Sequence, residues 1–500
     1  MKTFKYFLLL SGFFVILLTG CEKLDVKNLN DPDFKTAFSN PSDVKGVAGS
    51  LINTWFNATQ KYDGPGLALW VTADAGTCSW GNRGMRDFGT EPRKVFDNTP
   101  AYGDAVLSEG YYKNMYSMLS SSNEVLGKVE REGMVILADD GSNETPMVKA
   151  MAYLSQGIAL GYIGLVYDKA FVVTHKTNLA NKILTSPYKD VIDSALVSLD
   201  KCIALCAANN FTFPSTWVPG ITMSQKQVSE FANSMAARFL SYSPRNKTED
   251  NAVDWAKVLA YANKGLTYDF APQMDAAGIW YDELKDVANS STWGQTDMRV
   301  VHMMDPAMPA RWTGDALGFT LLPPHITAHT AGKDDRIFTD FEYLSSCPFN
   351  PERGYYFFSC YRHKRFDDYL ATYTTTVSVF WKAENDLIKA EALFHQSSLA
   401  AAAAIINSGT RVTRGALAPI GATAAEVENA IFYERNVELY GSAMGLEFFV
   451  MRKANKLQPG TVLHLPMPGQ QLAVNIMDYY TFGATEGVAG QDVSNGGWFK

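Results

Sequence analysis

Residues Met147 to Leu165 read MVKAMAYLSQGIALGYIGL. Met147, Met151, Leu154, Ile158, Tyr162 and Leu165 recur at steps of three and four, which places them on one face of a helix. Gly157, Gly161 and Gly164 lie among these large side chains. Small residues let neighbouring helix backbones approach closely, as stacked helix pairs require. Outward from this stretch, Trp255, Val258, Leu259, Ala262 and Leu266 repeat the pattern. Further helices are predicted at Tyr111 to about Val129, Tyr188 to Cys206, Ser224 to Tyr242, Lys382 to His395 and Thr423 to Tyr440. Ala232, Ala236 and Ala237 supply small positions in one of them. Tetratricopeptide-type units are built in this style, although no full consensus repeats here. A repeat-like, mainly α scaffold is favoured over an ordinary helical bundle.

Composition fits that reading. At 500 residues the chain exceeds what one simple core supports, so several packed lobes or an extended repeat are expected. Hydrophobic residues are 47% and charged ones 19%, a globular balance and not a disordered one. Aromatics reach 13%, enough to furnish a core and also a surface that stacks on ligands. A formal charge of −8, with no clustering of Lys and Arg, argues against a nucleic-acid partner.

The first residues, MKTFKYFLLLSGFFVILLTGC, place Lys2 and Lys5 before the apolar run Tyr6 to Leu18. That run is too short to span a bilayer and reads as an export signal over residues 1–20. Leu18-Thr19-Gly20-Cys21 resembles the bacterial lipobox, so Cys21 is the expected lipidation site, and residues 21–41 form a polar tether. The remaining cysteines, Cys78, Cys202, Cys206, Cys347 and Cys360, are odd in number, which argues against a disulfide framework. Cys202 and Cys206 are read as buried small hydrophobes in preference to metal ligands.

Two stretches interrupt the helical pattern, about 62–104 and about 267–380, with scaffold expected over about 105–266 and 381–445. Both are rich in Gly, Pro and aromatics, as in GIWYDEL, STWGQTDMR and PFNPERGYYFFSCYRHKRF. Long irregular segments are uncommon unless functional, so a binding surface is expected there. Catalytic motifs are absent: no phosphate loop, no GxSxG elbow, no HExxH helix. His325 and His329 have helical ligand spacing, yet Pro323 and Pro324 precede them and no third ligand is evident, so no metal is expected. No cofactor is expected either. Lys333-Asp334-Asp335-Arg336 reads as a structural charged turn.

Taken in order, several segments resemble the SusD/RagB family of Bacteroidetes outer-membrane lipoproteins. Phe432-Tyr433-Glu434-Arg435-Asn436-Val437-Glu438-Leu439-Tyr440 is similar to the family's ER.xEL helix, and Leu446-Glu447-Phe448-Phe449-Val450-Met451-Arg452 to its xxDLxR segment. Leu465-Pro466-Met467-Pro468 stands in the place of its LPIP close. Ala390-Glu391-Ala392-Leu393, Asp334-Asp335-Arg336 and Cys21-Glu22-Lys23-Leu24-Asp25 also fit. One departure is Gly441-Ser442-Ala443-Met444-Gly445, where an EGxR-like segment is common. Glu434 and Arg435 are expected to be structural, holding buried charge-assisted hydrogen bonds to different neighbours.

The resemblance implies a SusD-like domain over 42–500, with tetratricopeptide-like helix pairs and an irregular, loop-rich ligand-binding lobe. It also implies a surface lipoprotein, itself not an enzyme, that captures glycans and passes them to a SusC-type TonB-dependent outer-membrane transporter. Peptide capture within the same family is one alternative, and a lipid-anchored glycoside hydrolase another. Sugar rings present apolar C–H faces, so a glycan site needs exposed aromatics beside polar groups. On composition alone the candidates are Trp80 with Asn82 and Arg83, Trp293 with Arg299, Trp312 beside Arg311, and Tyr355 with Tyr356.

Overall fold

The computed structural model describes residues 38–78, 81–276, 278–311, 333–345, 358–484 and 493–499. The export signal, Cys21 and the tether up to residue 37 lie outside them, as do His325 and His329.

Helix α1, Pro41–Gln60, begins where the Asn40 side chain accepts from the Asp43 N–H at 3.0 Å and Pro41 occupies the first turn. It was not among the helices predicted from periodicity, yet it packs against α3 (Val106–Leu126) and α4 (Thr145–Val166), with the Trp55 ring 6.1 Å from that of Tyr162 on α4. The short helix α2, Gly66–Thr72, lies between α1 and α3 in sequence. From Met147 onward nearly every residue of α4 is buried, because α1, α3 and α5 (Tyr188–Ala208) all pack on it and α6 (Gln225–Tyr242) touches it as well. A Ser224–Gln227 capping box starts α6.

The glycines predicted to allow close approach do so. A Cβ at Gly157 would stand 2.6 Å from Leu199 and 3.0 Å from the Ala195 carbonyl, and one at Gly164 would stand 2.9 Å from Ile192. Both contacts are with α5. At Gly161 the added atom would meet the Phe239 ring of α6 at 2.2 Å. One glycine stripe therefore serves two neighbouring helices.

The second half adds α7 (Trp255–Ala262), α8 (Glu283–Asn289), α9 (Met298–Met304), α10 (Lys382–His395), α11 (Leu399–Ser408), α12 (Ala424–Val437) and α13 (Leu446–Lys453). Helix α10 packs on α6, α7, α11 and α12, continuing the stacked-pair arrangement. The architecture is mainly α, a tetratricopeptide-like scaffold with a few two-stranded β pairings. Among the described residues no helix is long and apolar enough to cross a membrane.

Buried ion pairs join the helices. Arg238 of α6 binds both oxygens of Glu384 on α10, at 2.7 and 2.5 Å, and donates to Tyr162 Oη of α4 at 2.7 Å. Glu434 accepts from Arg336, which Asp334 and Glu438 also bind, whereas its neighbour Arg435 donates to Glu391 at 2.8 Å. The ER.xEL pair thus has separate partners and a structural place, as does the Asp334–Arg336 turn. Arg452 donates to the carbonyls of Leu165, Tyr242 and Leu463, satisfying orphan acceptors at the ends of α4 and α6. Leu465 pairs with Tyr167 in a parallel bridge, which anchors the LPMP segment to the end of α4. Cys202 and Cys206 are free and buried on α5, and Cys360 is disulfide-bonded.

The stretches read as irregular contain short regular elements. Strand β1, Gly76–Cys78, comes from the first stretch and pairs antiparallel with β6, Gly294–Thr296, from the second, in the register Gly76↔Thr296. Four short strands intervene in sequence, Lys169–Phe171 (β2) with Thr185–Pro187 (β3) and Thr212–Phe213 (β4) with Met223–Ser224 (β5). Phe341–Tyr343 (β7) pairs with Tyr361–His363 (β8), and β8 lies beside β6. The two stretches are thereby fixed to one another.

Candidate functional site

A cleft of about 300 Å³ opens where these two stretches meet. Tyr62, Asn82 and Met85 line it from one side, and Tyr281, Asp286 and Trp293 from the other. The local sequence explains the frame. Asp282 caps α8 by accepting from Lys285 N at 3.0 Å, and its second oxygen takes the Lys285 ammonium at 2.7 Å, both groups being buried. That start of α8 presents Glu283 to the end of α1, where one oxygen accepts from Tyr62 N at 2.8 Å and the other pairs with Lys61 at 3.3 Å.

On the opposite wall the chain turns through Gly81 to Gly84 with left-handed backbone at Arg83 and Gly84. Glycine is required at 84, because a Cβ there would stand 2.4 Å from Leu107 in an already unfavourable conformation. The turn lays the Arg83 guanidinium 4.6 Å over the Tyr62 ring, where it also donates to Tyr62 Oη at 3.2 Å and pairs with Asp63. Lys61 stands 4.8 Å over Tyr281. One face of each tyrosine is therefore already covered by a cation.

Asp286 ties the floor together. Tyr281 Oη donates to one of its oxygens and Tyr373 Oη to the other, the latter at 3.3 Å. Burial and the hydrogen bond to Asp286 both push the Tyr281 phenol well above its ordinary range, so it stays a neutral donor. Every oxygen of Glu283 and Asp286 accepts from the chain. This arrangement suits walls that orient hydroxyl groups better than an acid poised to release a proton. Trp293 is 39% exposed, and Asn82, which lines the other side of the cleft, is exposed as well.

Three residues suggested by composition, Asn82, Arg83 and Trp293, converge at this cleft from segments far apart in sequence. Arg299 sits inside the protein instead of on the surface the sequence suggested. It is 3% exposed, and its Nε donates to the Asp74 carbonyl at 2.8 Å. Gln295 and Asp297 are buried too, Asp297 as the cap of α9. Arg311 is engaged by Glu91 in a bidentate pair. Trp80, Trp312, Tyr355 and Tyr356 lie outside the described residues. Sequence reasoning missed Tyr62, Tyr281 and Asp286 as site residues. The available signal was Asp282 followed by Glu283 and Asp286, an N-cap with an acidic first turn, which marks a helix starting directly after Tyr281.

Two further clefts, of about 380 and 310 Å³, carry charged side chains that pair with one another, among them Arg414 with Glu438 and Lys453 with Glu391. The second contains Asp250, Glu391 and His395, whose ligand atoms lie within 4.8 Å of one another. The Lys453 ammonium already fills that position, 3.2 Å from Asp250 and 2.6 Å from Glu391, so the cluster is neutralised by the chain itself.

No family model matches the sequence, and no curated protein matches it. Solved structures do match in fold. A SusD superfamily protein from Bacteroides vulgatus superposes with a TM-score of 0.59 at 13% identity, covering 92% of this chain and 99% of its own. One from Parabacteroides distasonis gives 0.59 at 12% identity, covering 87% of this chain and 97% of its own. A protein described as a SusD-like carbohydrate binding protein, also from Bacteroides vulgatus, gives 0.55 at 15% identity, with 85% and 84% covered. The chain has the fold of the SusD superfamily.

Proposed function

We propose that this protein is a non-catalytic glycan-binding lipoprotein of the outer membrane, anchored through Cys21, that passes captured glycans to a SusC-type TonB-dependent transporter. The observation that carries the binding role is the cleft itself. An exposed indole, Trp293, lines the same cleft as two carboxylates, Glu283 and Asp286, and an exposed amide, Asn82. An indole face stacks on the apolar face of a sugar ring, while Asn82, Asp286 and Glu283 meet its hydroxyls. The SusD-superfamily fold, and the carbohydrate binding named for one protein that shares it, support the reading. The lipobox-like Leu18-Thr19-Gly20-Cys21 supports the anchor. Transfer to a transporter rests on the family resemblance of the sequence.

Calorimetric titration with a panel of oligosaccharides and peptides, with the same mixtures assayed for cleavage, tests the proposal. Saturable heat with at least one oligosaccharide, no cleavage, and a loss of about tenfold or more in Trp293→Ala are expected. Cleavage of a bound glycan would overturn the non-catalytic reading, and heat with peptides alone would overturn the glycan.

A further inference from the structure

The three clefts differ in the charge of their walls. Arg411 and Arg414 line one, and Lys453 and Lys456 line another, in each case opposite carboxylates. Among the described residues, the Tyr62–Trp293 cleft is lined by two carboxylates, Glu283 and Asp286, and by no lysine or arginine. Lys61, just outside the lining, neutralises Glu283 at 3.3 Å. Arg83 is engaged by Asp63. Lys285, on the same helix as Asp286, is buried against Asp282. Asp286 is left with two phenol donors and, among the described residues, forms no ion pair.

A carboxylate held this way has two properties. Each oxygen has given one lone pair to a phenol and keeps capacity for another donor, whether a sugar hydroxyl or an ammonium group. With no ion-pair partner for Asp286 among the described residues, a second anion brought into the half-enclosed cleft meets like charge where water screens poorly. We propose that the cleft selects neutral and amino-substituted glycans over those bearing uronate or sulfate, and that Asp286 sets the selection. The inference rests on the glycan-binding reading above.

The test uses the full chain in detergent and oligosaccharides in charge-matched pairs. These are β-glucan and its C6-oxidised uronate form, galactan and sulfated galactan, and chitin oligomers and their deacetylated amine form. Each is titrated at low and at high salt. In each acidic pair the charged member is expected to bind at least about tenfold more weakly than its neutral counterpart. The amine form is expected to bind no more weakly than the neutral chitin oligomer. Asp286→Asn, which keeps an acceptor and removes the charge, is expected to narrow the gap for uronate and sulfate. Salt narrows the same gap in the unaltered chain by screening, so the salt series decides should the variant fail to fold. Acidic members binding as tightly as neutral ones at low salt, with Trp293→Ala still abolishing both, would overturn the selection and leave glycan capture standing. An absence of binding across all pairs, or binding indifferent to Trp293→Ala, would overturn the cleft reading and this inference with it.

Discussion

Adding one methyl group at Gly161 should unsettle the centre of the scaffold, whereas the same change at Gly46 should strengthen it. The Gly161 Cβ would stand 2.2, 2.3 and 2.4 Å from three carbons of the Phe239 ring, where carbon atoms settle at about 3.5–4.0 Å. The ring or the helix must therefore shift by more than about 1 Å. Phe239 has nowhere cheap to go: it is fully buried and lies edge-on to Tyr162 at 5.4 Å, and the Tyr162 hydroxyl is held by Arg238. Overpacking of this kind costs about 1–3 kcal/mol, and the helical preference of Ala over Gly returns about 1 kcal/mol. The displacement falls on a ring caged on all sides, so the cost lies toward the upper part of that range. A net loss of about 1–2 kcal/mol is expected for Gly161→Ala. Gly46 lies inside α1 with nothing within 4 Å of a Cβ, so Gly46→Ala should gain about 0.5–1 kcal/mol. Urea-unfolding midpoints of the two variants should move in opposite directions from the parent. Equal movement, or a gain at Gly161, would mean that α4 and α6 do not pack through that glycine.

Glu384→Gln should lower the unfolding free energy from urea titration by about 3–5 kcal/mol, because the fully buried Arg238 guanidinium loses its counter-charge while the burial remains. A loss under about 1 kcal/mol would show that Tyr162 and the Val379 carbonyl suffice to hold it. Asp168 is pushed up to about 6, chiefly by burial, against lowering contributions from the Tyr480 hydrogen bond and Lys169. Its protonated form is favoured in the fold. The penalty is therefore absent below pH about 4, where folded and unfolded chains both hold the proton, and complete above pH about 6. Asp168→Asn should stabilise at pH 8 by on the order of 2–3 kcal/mol and give no such gain at pH 3.5. An equal effect at both values would refute this assignment.

The scaffold was legible because its signal is local. Steps of three and four from Met147 to Leu165, with glycines among them, dictate a helix that others approach closely, and the contacts at Gly157, Gly161 and Gly164 follow from that. Helix α1 escaped notice because its buried side chains are spread among Gly46, Gly49, Ser50, Asn53 and Thr54, which blunts the apolar stripe. The cleft was legible only in part. Composition singled out Asn82, Arg83 and Trp293 separately, but nothing local says that they meet at one cleft, since strand pairing between residues 76–78 and 294–296 brings their two segments together. Arg299 was misplaced for the same reason. Gln295, Thr296 and Asp297 just before it are polar, yet the β1–β6 pairing draws Asp297 and Arg299 inward, where Arg299 binds the Asp74 carbonyl. The Asp286–Tyr281–Tyr373 contacts depend on a third segment and could not be read from any window of sequence.

The β1–β6 pairing also sets the order in which the molecule can be completed. Helices α1 to α6 find their neighbours close by in the chain and can associate as they emerge during synthesis. Strand β1 must wait for β6, with helices α3 to α8 made in between, and closing so long a loop carries an entropy cost that few contacts repay early. A chain halted before Gly294 would hold every described residue that lines the cleft, but not the strand that fixes one side of it to the other. The fixed cleft is thus a late product of folding, and its appearance reports that β6 has joined β1.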